Sequence, residues 1–396
     1  MKKIIFMMFI SLILFISCTD AESEKEIRLH QDATDFNNNY VKPLILEKEK
    51  QIDDFINNLS LEQKISQLFI ENLEGNTSFR SYETIGDINN TNENTPLIAG
   101  GYLFFGYNIA ENKEDMISFN NSIKEYSNKY NQIPPFLAVD QEGGWVSRLK
   151  KLSPTLPSNE DVANNNSIGE AYNIYKEQAL SMKELGFHMN LAPVIEVMTD
   201  NNKDFLDGRS FGDGKKVLNY GRACVNSYEN NCIATVVKHF PGNTNTDPHV
   251  GLPIITSSKE ELKESLIPFV EVLDYNPAAI LMSHAITDAV DPGVPACLSH
   301  VWVTDILRNQ IGYQGIIFSD DIFMGALANN GYGPEKAAVM AIEAGIDCIM
   351  ISEKRFSKAA KILYEKANED ELFMARINES VKRIITYKVN SGIITL

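Results

Sequence analysis

The chain has 396 residues, 44% of them hydrophobic, which is enough for a large buried core, and its formal net charge is −17. That acidity repels phosphate backbones and argues against a nucleic-acid partner, while small neutral molecules remain open. Length alone suggests two or three domains, but an α/β barrel commonly runs to about 250 residues or more as one.

The first segment reads as targeting rather than fold. Lys2 and Lys3 precede an apolar run from Ile4 to Ile16, followed by Ser17-Cys18. A basic start, an apolar stretch of this size and a small residue before the break are the pattern of an export signal. The run is short of the roughly 20 residues that a membrane span needs. Cys18 stands where a bacterial lipoprotein signal ends, so residues 1–17 are expected to be the signal and Cys18 the lipidated residue. Residues 18–48 are polar and charged, with Asn37-Asn38-Asn39, and suggest a disordered tether ahead of a fold spanning 49–396. Of the other cysteines, Cys232, Cys297 and Cys348 lie in or beside apolar stretches and read as small core residues; a Cys224–Cys232 disulfide is one option.

From Ser60 onward helical and strand patterns alternate. Ser60-Leu61-Glu62-Gln63 is a capping box that opens a helix. Apolar, β-rich runs follow at residues 67–71, 101–105, 136–140, 188–191, 234–239, 278–284, 315–320 and 347–352. Helical patterns intervene, among them 116–130, 168–185, 259–273, 304–310 and 334–344. Continuous apolar runs suit parallel strands covered on both faces. Eight such units in one chain predict a single (β/α)₈ barrel of the TIM type rather than an open sheet. The runs end in polar groups: Asp140, Asn190, Lys238-His239, His284, Asp320 and Ser352. In a barrel these ends converge on one face, where sites are built.

Four blocks carry candidate chemistry. In Ala138-Val139-Asp140-Gln141-Glu142-Gly143-Gly144, a strand delivers Asp140 as an acceptor for hydroxyls, and paired glycines let the backbone turn tightly. Glu142 reads as structural. Asp207-Gly208-Arg209 supplies a cation on a loop. Lys238-His239-Phe240-Pro241-Gly242 ends a strand in a cation and an imidazole, and leads to Asp247-Pro248-His249. Residues i and i+2 of an extended segment share a side, so Asp247 can orient the His249 ring and raise its proton affinity. Finally, Phe318-Ser319-Asp320-Asp321 places two acids at a strand end. Alternation allows one to face a ligand, as a nucleophile or a metal ligand, and leaves Asp321 to cap the next helix.

Together these blocks resemble the barrel domain of glycoside hydrolase family three, in its β-N-acetylhexosaminidase branch. The resemblance runs from Leu61 to Ser352 and rests on "VDQEGG" with Arg148, "NLAPV", "GRSFG", "KHFPG" followed by Asp-x-His and "GLP", and "GYQGIIFSDDIFMGAL". It implies Asp320 as nucleophile, His249 as acid/base with Asp247 as its partner, and Asp140, Arg148, Arg209, Lys238 and His239 as binders of the non-reducing sugar. The chain departs from the family in having Asn243-Thr244 where His-Gly is usual, a loop about two residues shorter before Asp-x-His, and Trp145 where Arg is common.

The implied activity is retaining hydrolysis of terminal β-linked N-acetylglucosamine, from peptidoglycan fragments or chitin-type oligosaccharides. It would proceed through a glycosyl-enzyme without metal or organic cofactor. The expected protein is a monomer, exported and held at a membrane by its lipid. Two other readings stay open: a phosphorylase, because a neutral imidazole tolerates an incoming phosphate, and a surface lipoprotein that binds glycans without cutting them.

Overall fold

The computed structural model describes residues 33–396; residues 1–32, with the expected export signal and Cys18, lie outside that range. Two compact units form, one ending at Asp54 and the other running Phe55–Leu396. The described part of the first is helical, passing from a π-wound turn, Asn37–Val41, into a helix, Lys42–Asn57. Composition alone suggests an unstructured tether as far as residue 48. The helix is favoured by Leu44-Ile45-Leu46 and the strong helix formers Glu47 to Lys50.

The second unit is the barrel. Its strands are β1 (Phe69–Asn72), β2 (Gly101–Phe104), β3 (Phe136–Val139), β4 (Met189–Asn190), β5 (Ala234–Phe240), β6 (Ala279–Met282), β7 (Ile316–Phe318) and β8 (Ile349–Ile351). Each falls within or overlaps one of the eight apolar runs, and every residue in them is buried. Neighbours pair in parallel in the order β7-β6-β5-β4-β3-β2-β1-β8. A bridge between Phe318 and Cys348 closes the ring, with Cys348 N donating to Ile317 O at 3.1 Å.

Helices cover the outside. They are α1 (Leu61–Ser66), α2 (Lys113–Lys129), α3 (Ile168–Glu184), α4 (Gly214–Asn230), α5 (Lys259–Leu273), a π-wound helix Val301–Ile311, α6 (Pro334–Ala344), α7 (Ser357–Glu369) and α8 (Glu371–Asn390). The capping box at Ser60 is formed, with Gln63 N donating to Ser60 Oγ at 3.2 Å and Ser60 N to Gln63 Oε1 at 3.1 Å. No helix among the described residues is long and apolar enough to cross a membrane. Cys224, Cys232, Cys297 and Cys348 are free thiols.

The closing seam is fastened by one carboxylate. Asp347, fully buried ahead of β8, accepts from Ile317 N at 3.0 Å and pairs with Arg308, with Arg376 at 2.8 Å and with Arg383 at 3.0 Å. Burial pushes its carboxyl up, but the three guanidinium groups outweigh burial and hold it below the usual range. β7, β8, the π-wound helix and α8 are thereby tied at the end of the barrel opposite the polar strand ends. Removing one partner of such a buried cluster costs about 3–5 kcal/mol. Asp347→Asn should therefore lower the midpoint of denaturant unfolding by that order, while whatever protein stays folded keeps its full activity per molecule.

Candidate active site

The polar strand ends do converge. Beyond β3 the chain makes a hairpin, Gln141–Gly143 against Val146–Ser147. Gly143 turns with φ 105°, and a Cβ there would sit 2.1 Å from Pro157 O, so only glycine fits. The turn carries Glu142 inward. Lys238, near the end of β5, places its Nζ 2.7 Å from Asp140 Oδ1 and 2.6 Å from Glu142 Oε1. From the loop after β4, Arg209 grips the same Glu142 with two bonds, Nε to Oε2 at 2.8 Å and Nη2 to Oε1 at 2.9 Å.

This array is almost dry: the side chains of Lys238 and Glu142 are 5% and 1% exposed. Burial raises the Glu142 carboxyl, but Lys238 and Arg209 pull it down to about 2. Burial opposes the Lys238 charge, and Asp140 and Glu142 more than restore it, so its ammonium is held above the ordinary lysine range. Asp140 spends Oδ1 on Lys238 and keeps some exposure. Arg148, at the foot of the hairpin, has a buried Nε with no protein partner.

His239 faces a second carboxylate. Its Nδ1 lies 2.6 Å from Glu196 Oε1, while Glu196 Oε2 accepts from Asn243 N at 2.7 Å and Oε1 from Asn243 Nδ2 at 3.1 Å. A carboxylate collecting these donors accepts a hydrogen bond from Nδ1–H as well, which leaves Nε2 of His239 as the ring nitrogen without a hydrogen. The Lys238–His239 and Phe240–Pro241 peptides are both cis.

Asp320 lies two residues beyond β7 and is partly accessible. Burial raises its carboxyl, but His284, His239, the Asp321 N–H and Lys238 together bring it below the usual range, so it is ionised at neutral pH. Asp321 does something else. Its Oδ1 accepts from Phe323 N and Ser352 N, both at 3.0 Å. The expected helix cap is replaced by this bridge; the short helix Gly325–Ala328 begins at Met324 with no side-chain cap.

The Asp247–His249 pair lies at the rim. His249 N and Nδ1 both donate to Asp247 Oδ1, at 2.9 and 2.8 Å. The two side chains are 55% and 75% exposed. Their segment is docked beside the Asp320 loop: Ala326 N donates to Pro248 O at 3.0 Å. Gly325 permits the approach, because a Cβ there would lie 2.4 Å from His249 O. Farther on, Ile254–Ile255 pairs with Ile286–Thr287 after β6, which anchors the return of the loop. A cleft of about 900 Å³ flanks this loop, lined by Glu196, Asn243 and α5, and not by Asp140, Lys238 or Asp320.

Residues 60–387 match the family model for the glycosyl hydrolase family 3 N-terminal domain. The chain belongs to glycosyl hydrolase family 3. Among its relatives, the beta-hexosaminidase A of Pseudoalteromonas piscicida is 28% identical over 323 residues, covering 73% of this chain and 53% of that protein. The beta-hexosaminidase of Haemophilus influenzae is 31% identical over 291 residues, covering 71% and 80%. The structure of a family 3 beta-N-acetylglucosaminidase from Paenibacillus sp. FPU-7 superposes with a TM-score of 0.76 at 27% identity, covering 85% of this chain and 65% of that one. The chain thus spans about half to two thirds of the first of these relatives and of that structure.

Within this family 3 barrel, the sequence motifs locate Asp140, Arg209, Lys238, His239 and Asp320 at one end. Three further groups complete the arrangement. Glu142 is the charge that joins Lys238 to Arg209; its i+2 spacing from Asp140 is the sequence signal for a shared side. Glu196 and Asn243 set His239; Glu196 carries no local signal, and Asn243 is marked in the sequence only by standing where the family usually has His. Trp145, where family members commonly have Arg, is 63% exposed and donates its indole N–H to Asp207 O at 3.0 Å, beside Arg209.

The ionic array has a definite pH signature. With its folded value depressed to about 2 from 4.5, Glu142 contributes stability that is complete above the unfolded value and is lost as pH falls toward the folded one. Unfolding free energies of the wild type and Glu142→Gln should therefore differ by a constant amount at neutral pH. That gap should narrow as pH drops from about 4.5 toward 2, because a protonated Glu142 resembles the amide. Parallel pH–stability curves down to pH 2 would contradict the assignment.

Proposed function

We propose that this chain is a retaining exo-β-N-acetylhexosaminidase that releases terminal β-linked N-acetylglucosamine. The observation that carries this reading is an ionised Asp320 on the same barrel face as the Asp140–Lys238–Glu142–Arg209 array, with an Asp247–His249 pair docked against the loop that follows it. The relatives named beta-hexosaminidase and beta-N-acetylglucosaminidase support the substrate class.

In this reading Asp140 and the unpartnered edge of Arg148 take the hydroxyls of the sugar, with Lys238, His239 and Arg209 around them. Asp320 attacks the anomeric carbon as His249, protonated, gives its Nε2 proton to the glycosidic oxygen. The C1–O bond to the aglycone breaks and the aglycone leaves as an alcohol. The sugar is now an ester of Asp320. His249, neutral after donation, takes a proton from water, which attacks C1 and returns Asp320 as a carboxylate with retained configuration. Asp247 holds Nδ1–H throughout and so dedicates Nε2 to both transfers. Export and lipid attachment at Cys18 complete the proposal. The apolar run ending at Ser17-Cys18 supports it, and Cys18→Ser should move the active protein from the membrane fraction to the soluble one.

The decisive assay compares aryl N-acetylglucosaminides with aryl glucosides, with and without phosphate. A site that hydrogen-bonds a substrate group can reject the analogue lacking it by up to ~10⁴-fold. A strong preference for the N-acetylglucosaminide is expected, with free sugar as the product in both buffers. Comparable kcat/KM on the two glycosides would remove the specificity. A sugar phosphate product would make the protein a phosphorylase, and no turnover at all would leave a glycan-binding protein. Loss of general acid catalysis costs typically 10²–10⁴-fold where the leaving group needs a proton. His249→Ala should therefore lose that much in the first step on unactivated substrates and little on those with acidic phenols.

A further inference from the structure

His284 is fully buried at the end of β6, and the chemistry above gives it no task. Its two ring nitrogens have unlike partners. Nε2 lies 3.1 Å from the main-chain oxygen of Asp321, and Nδ1 lies 3.2 Å from Sγ of Cys297. A carbonyl oxygen can only accept, so Nε2 carries a hydrogen. Burial holds the imidazole below its ordinary range, against the pull of Asp320 and Asp321, so the ring is neutral and Nδ1 is bare. Burial likewise pushes the Cys297 thiol well up, and it stays an S–H that can donate to Nδ1. The donor chain therefore runs one way, from Cys297 through His284 to the Asp321 carbonyl. Cys297 is itself placed by its N–H, which donates to Ser283 O at 3.1 Å.

What that carbonyl belongs to matters. Asp321 N donates to Asp320 Oδ1 at 2.8 Å, so the residue that His284 grips also fixes the Asp320 carboxylate. The Asp321 side chain is held by Phe323 N and by Ser352 N, beyond β8. Asp321 is thus pinned from β6, from its own loop and from β8, and presents one N–H to its neighbour.

We propose that His284, locked as its Nε2–H tautomer by the Cys297 thiol, is a positioning residue that aims the Asp320 carboxylate through the main chain of Asp321. The inference rests on the reading of Asp320 as nucleophile. It assigns the cysteine a role in which the S–H is a hydrogen-bond donor and its size is secondary. Serine at this position keeps the donor and alanine removes it.

The test is steady-state kinetics on an aryl N-acetylglucosaminide, with thermal unfolding of each variant in parallel. A misplacement of about 1 Å at a reacting group can cost 10²-fold. His284→Phe, which fills the space without a donor, should lower kcat by about that factor while KM changes less than about threefold, because the sugar contacts are untouched. Cys297→Ala should lower kcat by roughly tenfold at constant KM, a fraction of that limit. Cys297→Ser should return to within about twofold of wild type, since the lost donor is restored. Because alanine and serine differ little in volume, a packing role would make the two cysteine variants fall together, and that result overturns the proposal. Wild-type kcat in both His284→Phe and Cys297→Ala overturns it as well. Nitrogen-15 shifts of the His284 ring give a reading independent of turnover: protonated Nε2 and bare Nδ1 are expected, and the opposite tautomer is contradictory. An inactive wild type with the expected tautomer would instead remove the proposed function and leave the hydrogen-bond chain intact.

Discussion

Lys238 sits between Asp140 and Glu142 in a nearly water-free pocket, and its charge is tolerable there because a carboxyl oxygen of each acid lies within 2.7 Å of its Nζ. An unpaired ammonium in such a place costs several kcal/mol, and breaking a buried pair costs about 3–5 kcal/mol. Arg209 closes the circuit by gripping Glu142 with two bonds. Two cations and two carboxylates therefore balance locally. The balance draws β5, the hairpin after β3 and the loop after β4 to one point. Asp140 shares the lysine with Glu142 and stays partly exposed, while Glu142 is sealed off.

Asp320 is governed by a different constraint. Burial alone would push its carboxyl up and make it a poor nucleophile. With His284 and His239 in their protonated forms, these rings, the N–H of Asp321 and Lys238 hold it below the usual carboxylate range; at neutral pH, where His284 is uncharged, the carboxyl has already given up its proton. The adjacent acid illustrates how strongly environment separates like groups. Burial raises Asp321, and its oxygen is spent on main-chain donors, so it serves as an anchor one residue from the proposed nucleophile. A pair of neighbouring acids with opposed surroundings is a common way to assign distinct tasks to one residue type.

The barrel was legible in the sequence because parallel strands, covered on both faces, read as uninterrupted apolar runs whose polar ends mark one rim. All eight runs became strands, and the Ser60 capping box formed as its spacing requires. The helix before the barrel was less legible: Asn37-Asn38-Asn39 reads as tether, while the formers that follow carry the helix. Contacts between distant residues left no local trace. Glu196 meets His239 across 43 positions and Asn243 across 47; Glu196 does not stand out in its own segment, and Asn243 does so only as a departure from the family pattern, with nothing to show its partner. Cys297 reads as a small apolar residue, and it is buried as expected, but its thiol meets a ring 13 positions away. Adjacent to Asp320, the cap expected of Asp321 gave way to a bridge beyond β8, because its Oδ1 is taken by Phe323 N and Ser352 N, both at 3.0 Å, and the helix starts only after Met324.

The central claim is that Asp320 forms the covalent bond to the sugar while His249 governs its release. The most direct measurement is intact-mass analysis with peptide mapping of His249→Ala after mixing with an aryl N-acetylglucosaminide of low leaving-group pKa. The account predicts a burst of phenol and an N-acetylhexosaminyl adduct on the peptide that contains Asp320, which azide discharges because it needs no base. An unmodified protein during turnover, or an adduct on any other residue, would contradict it.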